Sequence, residues 1–178
     1  RHHVNATPPR DTVTPVQQPD GTWRIPEAKI DLLRKFVDTY HVNAIAIPHP
    51  GIIIEDPDAE GEKLTEWLRA FDRAATELKQ TNLIFYIYLK DEPDSKADYL
   101  YVQKWGQAVR RAGSVVKILV VEQTKTQHPS WGTLYGSVDI WCSLFSNHDD
   151  LTAKQRAVLG ETVWCYTALC QKEKTPWW

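Results

Sequence analysis

The chain has 178 residues, of which 42% are hydrophobic and 25% are charged, and its formal net charge is −2. These values suit one folded domain with a sizeable core and exclude global disorder. The basic residues are scattered and no apolar stretch reaches the roughly 18 residues that cross a bilayer, so we expect no nucleic-acid partner and no membrane insertion.

In chain order, the sequence first predicts a loop-rich segment and then a repeated alternation of helices and strands. Residues 1–25 are rich in Pro, Thr, Asn, Asp and Gln, which is typical of loops. From residue 26 onward, apolar residues recur alternately with a helical period and as short continuous runs. The predicted helices cover about residues 26–40, 64–79, 96–111 and 152–159, with a short one after Gly132. The predicted strands cover about residues 42–48, 84–90, 115–121, 138–144 and 162–168.

Continuously apolar strands that alternate with amphipathic helices predict an α/β fold with a parallel sheet. Two architectures fit five such strands, an open doubly wound sheet and an incomplete (β/α)8 barrel of the TIM type. We favour the incomplete barrel. Residues 26–178 then form its central part as a single domain, and residues 1–25 lead in from the end of an earlier barrel strand.

The motifs of common cofactors and metals are not found in this sequence. No predicted strand is followed by GxGxxG or GxxxxGK, so we expect no dinucleotide or other cofactor. The three cysteines form no CxxC pair, and His148-Asp149-Asp150 is more simply a turn and helix cap than a ligand set. We therefore predict no metal site.

The strand at residues 84–90 ends in two adjacent acids, Asp91 and Glu92, followed by Pro93. In parallel barrels, the catalytic groups follow the strands at their carboxyl ends. Adjacent acids are too close to flank a sugar ring, but they suit substrate-assisted cleavage, in which the sugar's own 2-acetamido oxygen attacks the anomeric carbon. The alternative is a helix start capped by Asp94 or Ser95, although a cap requires only one acid.

Three segments together resemble the catalytic domain of family 123 glycoside hydrolases: Tyr88-Leu89-Lys90-Asp91-Glu92-Pro93, Asn43-Ala44 with Pro48-His49-Pro50, and Trp164-Cys165-Tyr166-Thr167 before Thr175-Pro176-Trp177. The resemblance implies a retaining, substrate-assisted β-N-acetylgalactosaminidase built on an eight-stranded barrel. It implies that Asp91 orients the acetamido group, and that Glu92 is first the acid and then the base. The implied substrate is a glycan or glycoconjugate, and the implied location is secreted or periplasmic.

The same resemblance numbers the five predicted strands as the third to the seventh of the barrel. The end of the second strand then falls at residues 4–6, and the first strand, most of the second and the eighth lie outside the chain. We also expect residues before Arg1, since the chain contains no methionine.

Six further residues are candidate substrate-binding groups, because they follow predicted strands or offer an aromatic ring to a sugar: His49, Glu122, Gln123, Trp131, Trp164 and Tyr166. His49, Glu122 and Gln123 would bind hydroxyl groups, and Trp131 would stack on a sugar ring. Tyr166 would donate to the acetamido carbonyl. Trp164 would face the same side two residues earlier.

Two other functions remain open at this point. A retaining glycosidase could use a separate carboxylate nucleophile, for which Glu173 after the last strand is the nearest candidate. A truncated barrel could instead bind carbohydrate without turning it over, or be inactive, because unpaired strand edges leave one wall of the pocket missing.

Overall fold

The computed structural model of the chain describes residues 7–79 and 82–167. The predicted strand end at residues 4–6, the candidate nucleophile Glu173 and the motif at residues 175–177 lie outside the described residues. These three expectations therefore stay predictions.

Helices and strands alternate along the described chain, as the hydrophobic pattern predicts. The helices are α1 (Glu27–Tyr40), α2 (Gly61–Leu78), α3 (Lys96–Ala112) and α4 (Asp150–Val158). The strands are β1 (Val16–Gln17), β2 (Trp23–Arg24), β3 (Ala44–Ile47), β4 (Ile84–Asp91), β5 (Lys117–Val121), β6 (Ile140–Leu144) and β7 (Thr162–Tyr166). None of the described helices combines the length and the apolar character that a membrane span requires.

Strands β3 to β7 form one parallel sheet in the order β3-β4-β5-β6-β7. Each strand therefore pairs with the next strand along the chain, as in a β/α barrel, whereas a doubly wound sheet reverses its strand order near the middle. The predicted α/β fold of barrel type, with five parallel strands, is confirmed over the described residues.

The two faces of this sheet carry different layers. Helices α1 to α3 cover one face, where strand residues such as Phe85 and Ile87 join the helices in the main hydrophobic core. The other face carries a smaller cluster formed by strand residues alone, centred on Leu119, Val121 and Ile140. The helix-covered face corresponds to the outside of a barrel. We call the other side the concave face.

The concave face is strongly curved, because side chains of β4 and β7 meet across it. Two strands separate β4 from β7, so their backbones would lie about 14 Å apart in a flat sheet. The rings of Tyr86 on β4 and Trp164 on β7 nevertheless lie edge to face, with centroids 5.6 Å apart. The sheet therefore bends toward this face as the wall of a barrel does.

The structure differs from the sequence prediction at two places. Residues 1–25, predicted as loop, contain the short antiparallel pair of β1 and β2, and the carbonyl of Trp23 accepts a hydrogen bond from Arg73 of α2. No helix lies between Gly132 and β6; a single 3-10 turn, Pro129–Trp131, comes before Gly132. Gly136, in the middle of the segment predicted as helix, has φ 80°, a conformation open to glycine that a right-handed helix does not contain.

Candidate active site

A β-bulge lies near the carboxyl end of β4, just before the two acids. Tyr88 pairs with Leu119 of β5, but the next paired residue is Lys90, which lies opposite Val120. Leu89 is therefore an extra residue without a partner. An extra residue shifts the alternation of side chains by one position, so every side chain after it changes face.

The bulge turns Asp91 toward the concave face. Asp91 pairs with Val121, which belongs to the concave cluster, and directly paired residues share a face. Lys90 points instead to the helix side, where its ammonium forms an ion pair with Asp98 of α3. On the concave face the Tyr88 hydroxyl donates to Asp91 Oδ1 at 2.9 Å. Without the bulge, Asp91 would face the helices and Lys90 would lie on the concave face.

Glu92 leaves the strand in an unusual backbone conformation. Its φ is 39°, in the left-handed region that side chains other than glycine rarely adopt. Its amide donates to the carbonyl of Val121 at 3.0 Å, which extends the β4–β5 ladder by one bond. Its carboxylate accepts a hydrogen bond from the Tyr166 hydroxyl at the end of β7. The carboxylates of both adjacent acids therefore lie on the concave side of the sheet.

A cavity of about 330 Å³ opens at the carboxyl ends of β4 to β7. It is lined by Glu92, Asp94, Val121, Glu122, Gln123, Gln127, Leu144, Asn147 and Tyr166. Three of these nine residues are acids, and among the described lining residues there is no lysine, arginine or histidine. The cavity is therefore polar and negatively charged, which disfavours an anionic substrate.

Glu122 is the most buried acid of the cavity, with 6% of its surface exposed. Its Oε1 accepts from the Gln123 amide at 2.6 Å, and its Oε2 accepts from the side chain of Gln127. Burial raises the pKa of the Glu122 carboxyl, and these two hydrogen bonds oppose that rise. Both carboxylate oxygens are thus already engaged within the protein.

Two tyrosines hold the adjacent acids from the concave face. The hydrogen bond to Glu92 is the main cause that raises the pKa of Tyr166, followed by burial. Burial is the main cause that raises the pKa of Tyr88, followed by its hydrogen bond to Asp91. Both hydroxyls therefore stay protonated across the physiological range and act as donors to the acids.

Four of the six predicted binding residues lie on the concave face or at the cavity. Glu122, Gln123 and Tyr166 line the cavity, and Trp164 lies below Tyr166 on the same face of β7. Trp164 packs against Tyr86 on the concave face and does not itself line the cavity.

His49 lies elsewhere, on the helix side of the sheet. Its Nδ1 accepts from the Gly51 amide at 2.9 Å, and its Nε2 lies 3.0 Å from the Tyr101 hydroxyl of α3. The ring also packs edge to face against Trp105, and burial lowers the pKa of His49. A neutral imidazole with both nitrogens engaged caps the turn after β3. It does not line the cavity.

Trp131 is likewise separate from the cavity. Its half-buried ring packs against Tyr99 of α3 and His128, and it joins the edge of the main core. Trp131 is therefore a packing residue within the loop that connects β5 to β6.

Sequence reasoning did not single out three cavity residues as site groups: Asp94, Gln127 and Asn147. Each lies in the loop that follows one of the strands β4, β5 and β6. A polar side chain within a few residues of a strand's carboxyl end is the signal that could have found them. That signal is weak, since polar residues are common in any surface loop.

Within residues 7–79 and 82–167, no group of three or more His, Cys, Asp or Glu side chains has an arrangement that could hold a metal ion. His148 and Asp149 belong to the start of α4, where the Asp149 carboxylate caps the helix by accepting from the Thr152 amide at 2.8 Å.

No protein-family model and no curated protein matches the sequence. Solved structures of larger enzymes do resemble it. One is a protein assigned as a glycerophosphoryl diester phosphodiesterase from Silicibacter pomeroyi DSS-3, with a TM-score of 0.42 and 14% identity over 79% of this chain. Another is the D-psicose 3-epimerase from Clostridium cellulolyticum H10, solved with D-tagatose, with a TM-score of 0.45 and 13% identity over 90% of this chain. The chain spans 45% and 62% of these two proteins, and similarity at this level does not identify a reaction.

Proposed function

We propose that the chain is part of a glycoside hydrolase that removes terminal β-linked N-acetylgalactosamine by a retaining, substrate-assisted mechanism. In this proposal Glu92 is the general acid and then the general base, Asp91 orients the acetamido group, and the protein is a relative of family 123 glycoside hydrolases.

The observation that carries the proposal is the orientation of the two adjacent acids. The bulge at Leu89 turns Asp91 to the concave face, and the left-handed backbone of Glu92 directs the next carboxylate to the cavity. A helix cap alone would require neither feature. Because the acids are consecutive, they reach one side of a sugar and cannot flank its ring.

Substrate assistance gives each of these acids a separate task. The acetamido oxygen attacks the anomeric carbon, the bond to the leaving oxygen breaks, and Glu92 donates its proton to that oxygen. The charged Asp91 accepts the amide N–H and balances the positive bicyclic intermediate. Water then opens the intermediate, and Glu92 takes the water's proton. The acid returns to its starting state, and the anomeric configuration is retained.

The charge of the cavity also favours a neutral sugar over an anionic substrate. Glycoside cleavage develops positive charge at the anomeric centre. Glu92 carries a proton as the general acid, but Asp94 and Glu122 also line the cavity, and their carboxylates would stabilise such a charge and repel a phosphate group. A phosphodiester substrate is therefore a poor match for this site.

A separate carboxylate nucleophile is less well supported by the described residues. Glu122 lies in the cavity wall, but the Gln123 amide and the Gln127 side chain occupy its two oxygens. A nucleophile in this position would have to attack through an oxygen that already accepts a hydrogen bond from the protein. Glu173 lies outside the described residues.

The test is hydrolysis of an aryl N-acetyl-β-galactosaminide by the unmodified chain and by Asp91→Asn and Glu92→Gln. We expect Glu92→Gln to lose about 100- to 10,000-fold in kcat, the usual range for a general acid or base. We expect Asp91→Asn to lose about 100- to 1,000-fold, the usual range for one group that stabilises a developing charge. Glu62→Gln is the matched control, because Glu62 lies in the first turn of α2, away from the cavity.

An intermediate mimic distinguishes the mechanisms. A thiazoline derived from N-acetylgalactosamine should inhibit well below the substrate KM, since it resembles the bicyclic species. Hydrolysis that resists the thiazoline would point to a separate nucleophile. Sugar binding without any hydrolysis would identify a binding module, and either result would overturn the proposal.

A further inference from the structure

Gln127 joins two parts of the site that are distant in sequence. Its side-chain amide donates to the carbonyl of Pro93 at 3.1 Å and to Oε2 of Glu122. Pro93 directly follows Glu92, so this amide holds the chain at the exit from β4. Glu122 follows β5, so the same amide also ties the exit of the neighbouring strand.

Gln127 is itself held in place from α3. Its backbone amide donates at 3.2 Å to the hydroxyl of Tyr99, a residue that is 1% exposed. Glu122 is fixed from the sheet, because Ser143 of β6 donates to its carbonyl at 3.2 Å. Gln127 and its hydrogen-bond acceptor Glu122 are therefore each held by a buried residue, Tyr99 and Ser143 respectively.

The backbone of Glu92 needs such support. Glu92 has φ 39°, a left-handed conformation that is unfavourable for a residue other than glycine and persists only where the surroundings impose it. On the amino side, the Glu92 amide bonds to the Val121 carbonyl. On the carboxyl side, Gln127 bonds to the Pro93 carbonyl. The strained residue is thus held by one hydrogen bond from each side.

We propose that Gln127 and Glu122 form a clamp that holds Glu92 in its left-handed conformation and so directs the carboxylate of Glu92 into the cavity. Both are positioning residues, since they act through Glu92, and the side-chain nitrogen of Gln127 and both carboxylate oxygens of Glu122 are engaged with the protein. This inference rests on the proposed role of Glu92 for its effect on catalysis. Its structural part stands without that role.

Glu122 suits the clamp better than it suits direct sugar binding. Its carboxylate presents two acceptors to two fixed donors, and only 6% of the residue is exposed. Burial without those donors would leave two unsatisfied acceptors, which is costly. A sugar hydroxyl would have to displace one of the donors.

The first test measures the backbone without any substrate. In Gln127→Met, which keeps the length of the side chain and removes its donor, we expect the Glu92 amide proton to exchange with solvent at least about ten times faster, as followed by NMR. Gln103→Met is the matched control, since the Gln103 side chain makes a comparable bond to the Thr133 carbonyl at 2.7 Å and neither residue lines the cavity. Unchanged exchange at Glu92 in Gln127→Met would refute the clamp, whatever the protein's activity.

The second test measures hydrolysis of the aryl N-acetyl-β-galactosaminide by the same proteins. We expect Gln127→Met to lower kcat about 10- to 100-fold with KM nearly unchanged, because a misdirected acid weakens the transition state and not the binding of the sugar. Accelerated exchange with an unaltered kcat would overturn the positioning role. If the unmodified chain does not hydrolyse the substrate, the proposed function fails and the exchange result still decides the clamp.

A second variant covers the case in which Gln127→Met does not fold. Gln127→Asn keeps the amide but is one methylene too short to bridge Pro93 and Glu122, and we expect the same faster exchange at Glu92. The unfolding temperatures of both variants and of the unmodified chain are measured as well, so that a general loss of stability is distinguished from loss of the clamp.

Discussion

Gly106 lies within α3, where the helix packs against the loop before β6. A Cβ atom at this position would lie 2.0 Å from the carbonyl oxygen of Ser137 and 3.0 Å from its Cα. Ordinary contacts of this kind begin near 3.4 Å. The neighbouring group is backbone and Ser137 is fully buried, so it cannot swing aside as the end of a long side chain could.

We expect Gly106→Ala to destabilise the protein by about 2 kcal/mol. Overpacking of a tight contact costs up to about 3 kcal/mol, and the higher helix propensity of alanine returns about 1 kcal/mol. For a chain of this size, a loss of about 2 kcal/mol lowers the unfolding temperature by about 4–8 °C. Thermal or urea unfolding followed by circular dichroism measures the change.

Gly61→Ala is the matched control. Gly61 is the first residue of α2, and no heavy atom lies within 4 Å of the Cβ that alanine would add there. The same substitution should therefore leave stability unchanged or raise it by up to about 1 kcal/mol. If the Gly106→Ala protein is as stable as the unmodified chain, α3 and the backbone of Ser137 do not pack this closely.

Three more predictions concern β4 and its surroundings. Lys90 and a helix-cap hydrogen bond lower the pKa of Asp98 to about 2, so ionised Asp98 adds stability above its ordinary pKa of 3.8 that is lost as the pH falls toward 2. Asp98→Asn should cost about 1–2 kcal/mol at pH 7, and urea unfolding at pH 7, 4 and 2.5 should show this difference shrink with falling pH. Ile87→Ala should cost about 2–5 kcal/mol in urea unfolding, because the side chain is 0% exposed within the main core. Tyr88→Phe should lower kcat about 10-fold or more in the aryl glycoside assay, since it removes the donor that orients Asp91; an unchanged kcat would contradict that role.

The fold class could be read from local patterns. Helical and extended periodicities arise from neighbouring residues, so runs such as residues 64–79 and 84–90 predict their elements without knowledge of the rest of the chain. The helix predicted after Gly132 is absent because Gly136, within that segment, has φ 80°, a conformation that a right-handed helix does not contain. The choice between a barrel and a doubly wound sheet required the strand order itself.

The candidate site could be predicted only in part. Asp91 and Glu92 stand out because two acids end an apolar strand, but the sequence pattern does not reveal which face each side chain occupies. A regular strand would have directed Asp91 to the helices. The bulge at Leu89 depends on how β4 pairs with β5, and that pairing is a long-range property.

The alternation of strands and helices, and the position of two acids at the end of β4, follow from the order of the residues alone. Three contacts do not: Glu92 meets Tyr166 from a strand three places away, Gln127 bridges Glu122 to Pro93, and the imidazole of His49 packs on the helix side. These contacts depend on the curvature and register of the sheet, which arise from all its strands together.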